Sequence, residues 1–143
     1  MKNNNSYFTG IICAFIGGLI ATIPWILTYV YANMILSVLA VIIALCAYKG
    51  YQLGKGKMSS KVPIIISIIS IISVTVATLV IIPLLLLNKE GLQVSLDNLG
   101  ILYNSDKFMT ALFKDYVISI IFTILGISGI ISKVKGDVED LED

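Results

Sequence analysis

Few residues in this chain could do chemistry, and the pair Lys114-Asp115 comes first because both charges interrupt the start of an apolar run. A charged pair at the outer edge of hydrocarbon is a default candidate for contact with an ion or polar solute, but reads better as an anchor at the lipid headgroups. A second group, Gly17, Gly18, Pro24 and Trp25, sets close-packing glycines beside a proline that removes one backbone donor. Helix breaks of that kind hold substrates in many transporters. Ser67, Ser70 and Ser73 recur at helical spacing and present hydroxyls for packing or for a polar path. The two cysteines, Cys13 and Cys46, could at most form a disulfide or share two metal ligands, and read better as small buried residues.

The missing residue types limit the chemistry further. All ten basic residues are Lys, and there is no His. Most proton shuttles, bidentate anion clamps and many metal ligands are therefore unavailable. No HExxH, nucleophile-base set, Gly-rich phosphate loop or acid cluster occurs, so neither enzyme activity nor a cofactor or metal is expected. The net charge of +1, with lysines flanking apolar runs, argues against nucleic acid as a partner. The Lys-, Ile- and Asn-rich composition points to an AT-rich bacterial genome.

The elements that must position these residues are apolar stretches over about 8–32, 34–51, 62–87 and 108–132. With 57% hydrophobic and 13% charged residues and a mean hydropathy of +0.96, the 143-residue chain predicts a polytopic membrane protein. The expected fold is all-α, one domain, a four transmembrane helix bundle. A barrel would need short alternating strands, whereas Ile64 to Leu87 is apolar on every side. The third stretch, about 39 Å as a helix, exceeds the ~30 Å hydrocarbon core and should tilt or bend near Pro83. Pro24 predicts a bend near Ile20 or Ala21, and Tyr29 and Tyr31 suit a headgroup interface. A secretory signal is the alternative for the first stretch, but its length and the immediate second stretch make a helical hairpin more natural.

Lys49, Lys55, Lys57 and Lys61 form the densest basic segment and contain no acid between them, which predicts a cytoplasmic loop. Both termini then also lie in the cytoplasm, with seven lysines inside and three outside. Residues 88–107 become an external connection. Leu92, Leu96, Leu99 and Tyr103 share a helical face there, although alternation at Leu92, Val94 and Leu96 would suit a short strand. The tail 133–143, with five acids in its last seven residues, should be a solvated end.

Each stretch carries small residues at helical spacing: Gly10, Ala14, Gly18 and Ala21; Ser37, Ala40, Ala44 and Ala47; Ser67, Ser70, Ser73 and Ala77; Ser119, Thr123 and Gly126. Such seams let helix backbones approach within lipid. The run Gly17-Gly18 through Pro24-Trp25, followed by Ala47-Tyr48-Lys49-Gly50-Tyr51, resembles uncharacterised small membrane proteins of Gram-positive bacteria with a Pro-Trp hairpin and an Ala-x-Lys-Gly-Tyr ending. The resemblance covers the first half and implies a four-helix cell-membrane protein with no known activity. Small multidrug transporters share the size but depend on a glutamate in their first helix, and the earliest acid here is Glu90. The expected role is a non-enzymatic membrane protein that self-associates or docks onto a larger membrane complex, with the lipid bilayer as its other partner. The alternative is a small transporter or channel whose path follows Pro24, the hydroxyl seams and Lys114-Asp115.

Overall fold

A computed structural model describes residues 6–32 and 39–142, excepting the side chains of Ala40, Leu141 and Glu142. Among the described residues every regular element is helical. The order is α1 (Tyr7–Ala32), α2 (Leu39–Leu53), α3 (Val62–Val76), a π-helical turn (Ala77–Ile81), α4 (Ile82–Lys89), α5 (Leu96–Tyr103) and α6 (Asp106–Glu142). α3, the π turn and α4 run together as one rod. That rod, α1 and α6 are each long and apolar enough to cross a membrane, while α2 is a shorter apolar helix. The start of the expected second span, with Ser37, lies outside the described residues.

Small residues set the geometry of the bundle. A methyl group on Gly17 would lie 2.7 Å from the Cys46 carbonyl oxygen, and one on Gly50 would run into the Cys13 carbonyl. α1 and α2 therefore touch backbone to backbone, which only glycine allows at these points. Gly126 of α6 sits somewhat less closely against Val41 of α2, where an added methyl would come 3.0 Å from Val41 Cα. α2 and α3 each touch the other long rods, leaving α1 and α6 on opposite sides of them. Ala14, Ala47, Tyr48, Tyr51, Ile66 and Ile130 belong to one apolar cluster; Ala21, Trp25, Val30, Ile43, Val74 and Ile82 belong to a second. The predicted seams Gly10-Ala14-Gly18-Ala21 and Ser119-Thr123-Gly126 are buried, as are Ala44 and Ala47, so one chain consumes them.

The irregular helix lies at Pro83, and α1 is continuous through Pro24. Ile82 N–H reaches back to the Ala77 carbonyl, the spacing of a π turn. Pro83 has no N–H to offer the Leu79 carbonyl, and the Tyr103 hydroxyl of α5 donates to it instead. Burial pushes the Tyr103 phenol above its ordinary range, keeping it a donor. Tyr103 also packs edge-on against Phe108, with ring centres 6.3 Å apart, so this one side chain ties α5 to the rods on both sides. α5 begins only at Leu96 because Ser95 caps it, its hydroxyl accepting from Asn98 N–H at 3.2 Å. Residues 92–94 are neither helix nor strand, so the expected helix holds for Leu96, Leu99 and Tyr103 but not for Leu92, and the alternative strand does not form.

Two turns close helices with the same hydrogen bonds. After α2, Lys55 N–H reaches the Gln52 carbonyl and Gly56 N–H the Tyr51 carbonyl; after α4, Gly91 and Leu92 repeat the pattern on Asn88 and Leu87. Gly91 takes the left-handed position at φ +71°, whereas Lys55 occupies it at φ +51° with a side chain.

Lys133, Lys135, Glu139 and Asp140 of the acidic tail are exposed, as a solvated end requires, but the tail is helical and partly packed. α6 continues through it to Glu142, with Val134 buried and Val138 packed on the core cluster. Asp137 accepts hydrogen bonds from the Tyr48 hydroxyl at 2.5 Å and from Gln52 Nε2 at 3.3 Å. The end of α2 thus holds the extension in place.

Candidate functional site

The polar groups of the interior come from three rods. α6 turns Asp115, Ser119 and Thr123 inward, one helical turn apart, and all three are buried. Asp115 is 6% exposed, and its carboxylate accepts from the Tyr29 hydroxyl of α1 at 2.8 Å. Lys114 is exposed, so Lys114-Asp115 is not a pair at a common surface. Adjacent helical residues are 100° apart, and α6 presents one to the bundle and the other to its surroundings. Tyr29 likewise serves the interior, whereas Tyr31 is exposed.

The hydroxyls divide into two classes. Ser119 Oγ donates to the Asp115 carbonyl and Thr123 Oγ1 to the Ser119 carbonyl, both at 2.8 Å, and Ser67 Oγ donates to the Pro63 carbonyl at 2.7 Å. These donors are spent on their own helices. Ser70 Oγ, Ser73 Oγ, Thr78 Oγ1 and Trp25 Nε1 are buried and have no hydrogen-bond partner among the described residues. Ser73 Oγ faces Gly18 so closely that a methyl there would come within 2.8 Å, which places the two seams in one junction. Of the residues singled out by sequence, the bundle therefore brings Gly18 and Ser73 together. Pro24 is exposed beside the buried Trp25, Gly17 lies against α2, and Ser67 is only half-buried.

The arrangement offers hydrogen bonds and one buried carboxylate. It assembles no group of three or more His, Cys, Asp or Glu side chains suited to a metal among the described residues. Cys13 and Cys46 are free thiols.

One seam was missed by the sequence reading. Ser128 and Ser132 are exposed on α6 opposite its buried face, and a methyl added to Gly129 or Gly136 would meet open space. Ser128-x3-Ser132-x3-Gly136 has the small-xxx-small spacing of helix contact surfaces. That repeat was visible in the chain, but which of two small-residue stripes on α6 faces outward depends on tertiary packing. Comparison with protein families, curated proteins and solved structures finds no match.

Proposed function

We propose that the chain is a multi-pass protein of a bacterial cytoplasmic membrane, with both termini in the cytoplasm. It acts without catalysis, by associating with itself or docking as an accessory component of a membrane complex. The observation that supports this reading is the outward seam of α6: every other small-residue stripe with described side chains is largely filled within the chain, whereas Ser128, Gly129 and Ser132 contact no other rod closely. In lipid, apolar area alone does not drive helices together, so a shallow surface that permits close backbone approach is what a partner helix needs. Orientation follows from the lysines at 49–61, 133 and 135.

Disulfide scanning in native membranes tests the docking surface. In a chain lacking Cys13 and Cys46, Ser128→Cys or Ser132→Cys should cross-link under mild oxidation, while Ile16→Cys on the lipid-facing side of α1 should not. An adduct of twice the chain mass identifies self-association, and a different mass identifies a partner. Absence of any α6-specific adduct overturns the proposal.

A second reading, a small transporter or channel, is favoured by one observation: buried Asp115 with the unpartnered Ser70, Ser73 and Thr78 hydroxyls. An acidic side chain buried near the end of a span is uncommon and generally kept where function requires it. Reaction of Ser70→Cys or Ser73→Cys with membrane-impermeant thiol reagents would support a water path there. Complete protection would end that reading.

A further inference from the structure

An open groove of about 480 Å³ lies between the start of α3 and the extension of α6. Pro63, Ile131, Val134 and Val138 give it apolar walls; Ser60, Lys135 and Glu139 line it as well. Ile131, Lys135 and Glu139 succeed one another on α6 by single helical turns of about 5.4 Å, so the wall passes from apolar to cationic to anionic along the helix. That is the order in which a phospholipid presents acyl chain, phosphate and headgroup. The level also fits: α3 begins at Val62, and the apolar part of α6 gives way to Lys133 and Lys135.

We propose that this groove binds a single inner-leaflet glycerophospholipid of the phosphatidylglycerol type, with one negative charge and free headgroup hydroxyls. An acyl chain lies along Pro63, Ile131 and Val134. The phosphate is held by the Lys135 ammonium and the Ser60 hydroxyl. The headgroup hydroxyls donate to the Glu139 carboxylate.

Charge and hydrogen bonding select this occupant. Lys61, exposed and next to Ser60 at the start of α3, adds a second positive charge beside the groove and favours an anion. Glu139 disfavours a bare phosphate headgroup and requires a donor, which a choline headgroup lacks. Asp137, the neighbouring acid, is engaged by Tyr48 and Gln52. Ser128 and Ser132 precede Lys135 and Glu139 by seven residues each and so share their side of α6, about two turns away; the lipid site adjoins the docking surface but rests on the membrane placement alone.

Native mass spectrometry of the full chain in mild detergent, with phosphatidylglycerol, phosphatidylcholine and phosphatidic acid at equal concentration, tests the site. Phosphatidylglycerol should be retained over both others. Lys135→Gln should lower its retention about fivefold, the effect of one lysine near a charged lipid surface. Lys107→Gln at the opposite end should leave retention unchanged, and Glu139→Gln should raise retention of phosphatidic acid. Equal retention of the three lipids, indifference to Lys135→Gln, or a groove filled by a second copy without lipid overturns the site. A chain that sediments with membranes yet shows no headgroup preference overturns the site alone, whereas one that stays in the supernatant overturns the membrane placement itself.

Discussion

The Tyr29 hydroxyl donates to Asp115 Oδ2 at 2.8 Å, joining α1 to α6 across the two rods between them. Burial makes this contact consequential, because a carboxyl group withdrawn from water depends on its remaining hydrogen-bond partners.

Tyr29→Phe should destabilise the bundle by about 1 to 3 kcal/mol, the cost of leaving a buried polar group without its partner. Tyr29→Phe combined with Asp115→Leu should be less harmful than the sum of the single changes. Thermal unfolding of the purified protein in detergent, analysed as a double-mutant cycle, measures the coupling. Strict additivity would mean that the two groups do not interact.

At the crossing of α1 and α2, Gly17→Ala and Gly50→Ala should each destabilise by about 1 to 3 kcal/mol, the range for forcing atoms into a filled site. The added methyl meets a backbone carbonyl that no rotamer change can move. Gly129→Ala, with open space around it, is the matched control and should raise stability slightly through helix propensity. Equal melting temperatures for Gly50→Ala and Gly129→Ala would contradict the close approach.

Lys55→Gly should stabilise by about 0.5 to 1 kcal/mol. The left-handed backbone at φ +51° costs a lysine about 1 to 2 kcal/mol, and the extra freedom of glycine in the unfolded chain returns part of that gain. Chemical denaturation in detergent reads the change, and a loss of stability would count against the turn geometry.

Tyr103→Phe should cost about 1 to 2 kcal/mol by leaving the Leu79 carbonyl without its donor. The same change should cost less in a Pro83→Ala background, since alanine restores an N–H that can serve that carbonyl. Hydrogen exchange across 77–89 reports whether the helix regains regular bonding. An undiminished cost would show that Tyr103 acts elsewhere.

The helical architecture was legible because lipid-compatible segments declare themselves by length and uniform apolarity, and Gly17 and Gly18 by their place in such a segment. The inward turn of Asp115 was not. α6 is apolar around most of its circumference, so no polar face fixes its rotation, and a shift of one residue exchanges Lys114 for Asp115. An irregularity near Pro83 was legible, but not its form as a π turn, nor the unbroken continuation of the helix at Pro24: the two prolines look alike in sequence, and Tyr103, which supplies the missing donor at Pro83, is distant along the chain. The fate of the tail was decided by Val134 and Val138, two apolar residues among charges whose packing partners come from other helices.

The backbone contacts at Gly17, Gly50 and Gly54 all join partners within residues 9–54. They can form while the remainder of the polypeptide is still on the ribosome. The first hairpin would then leave the insertion machinery as a finished half, and α6, arriving last, would find its seat on α2 already built.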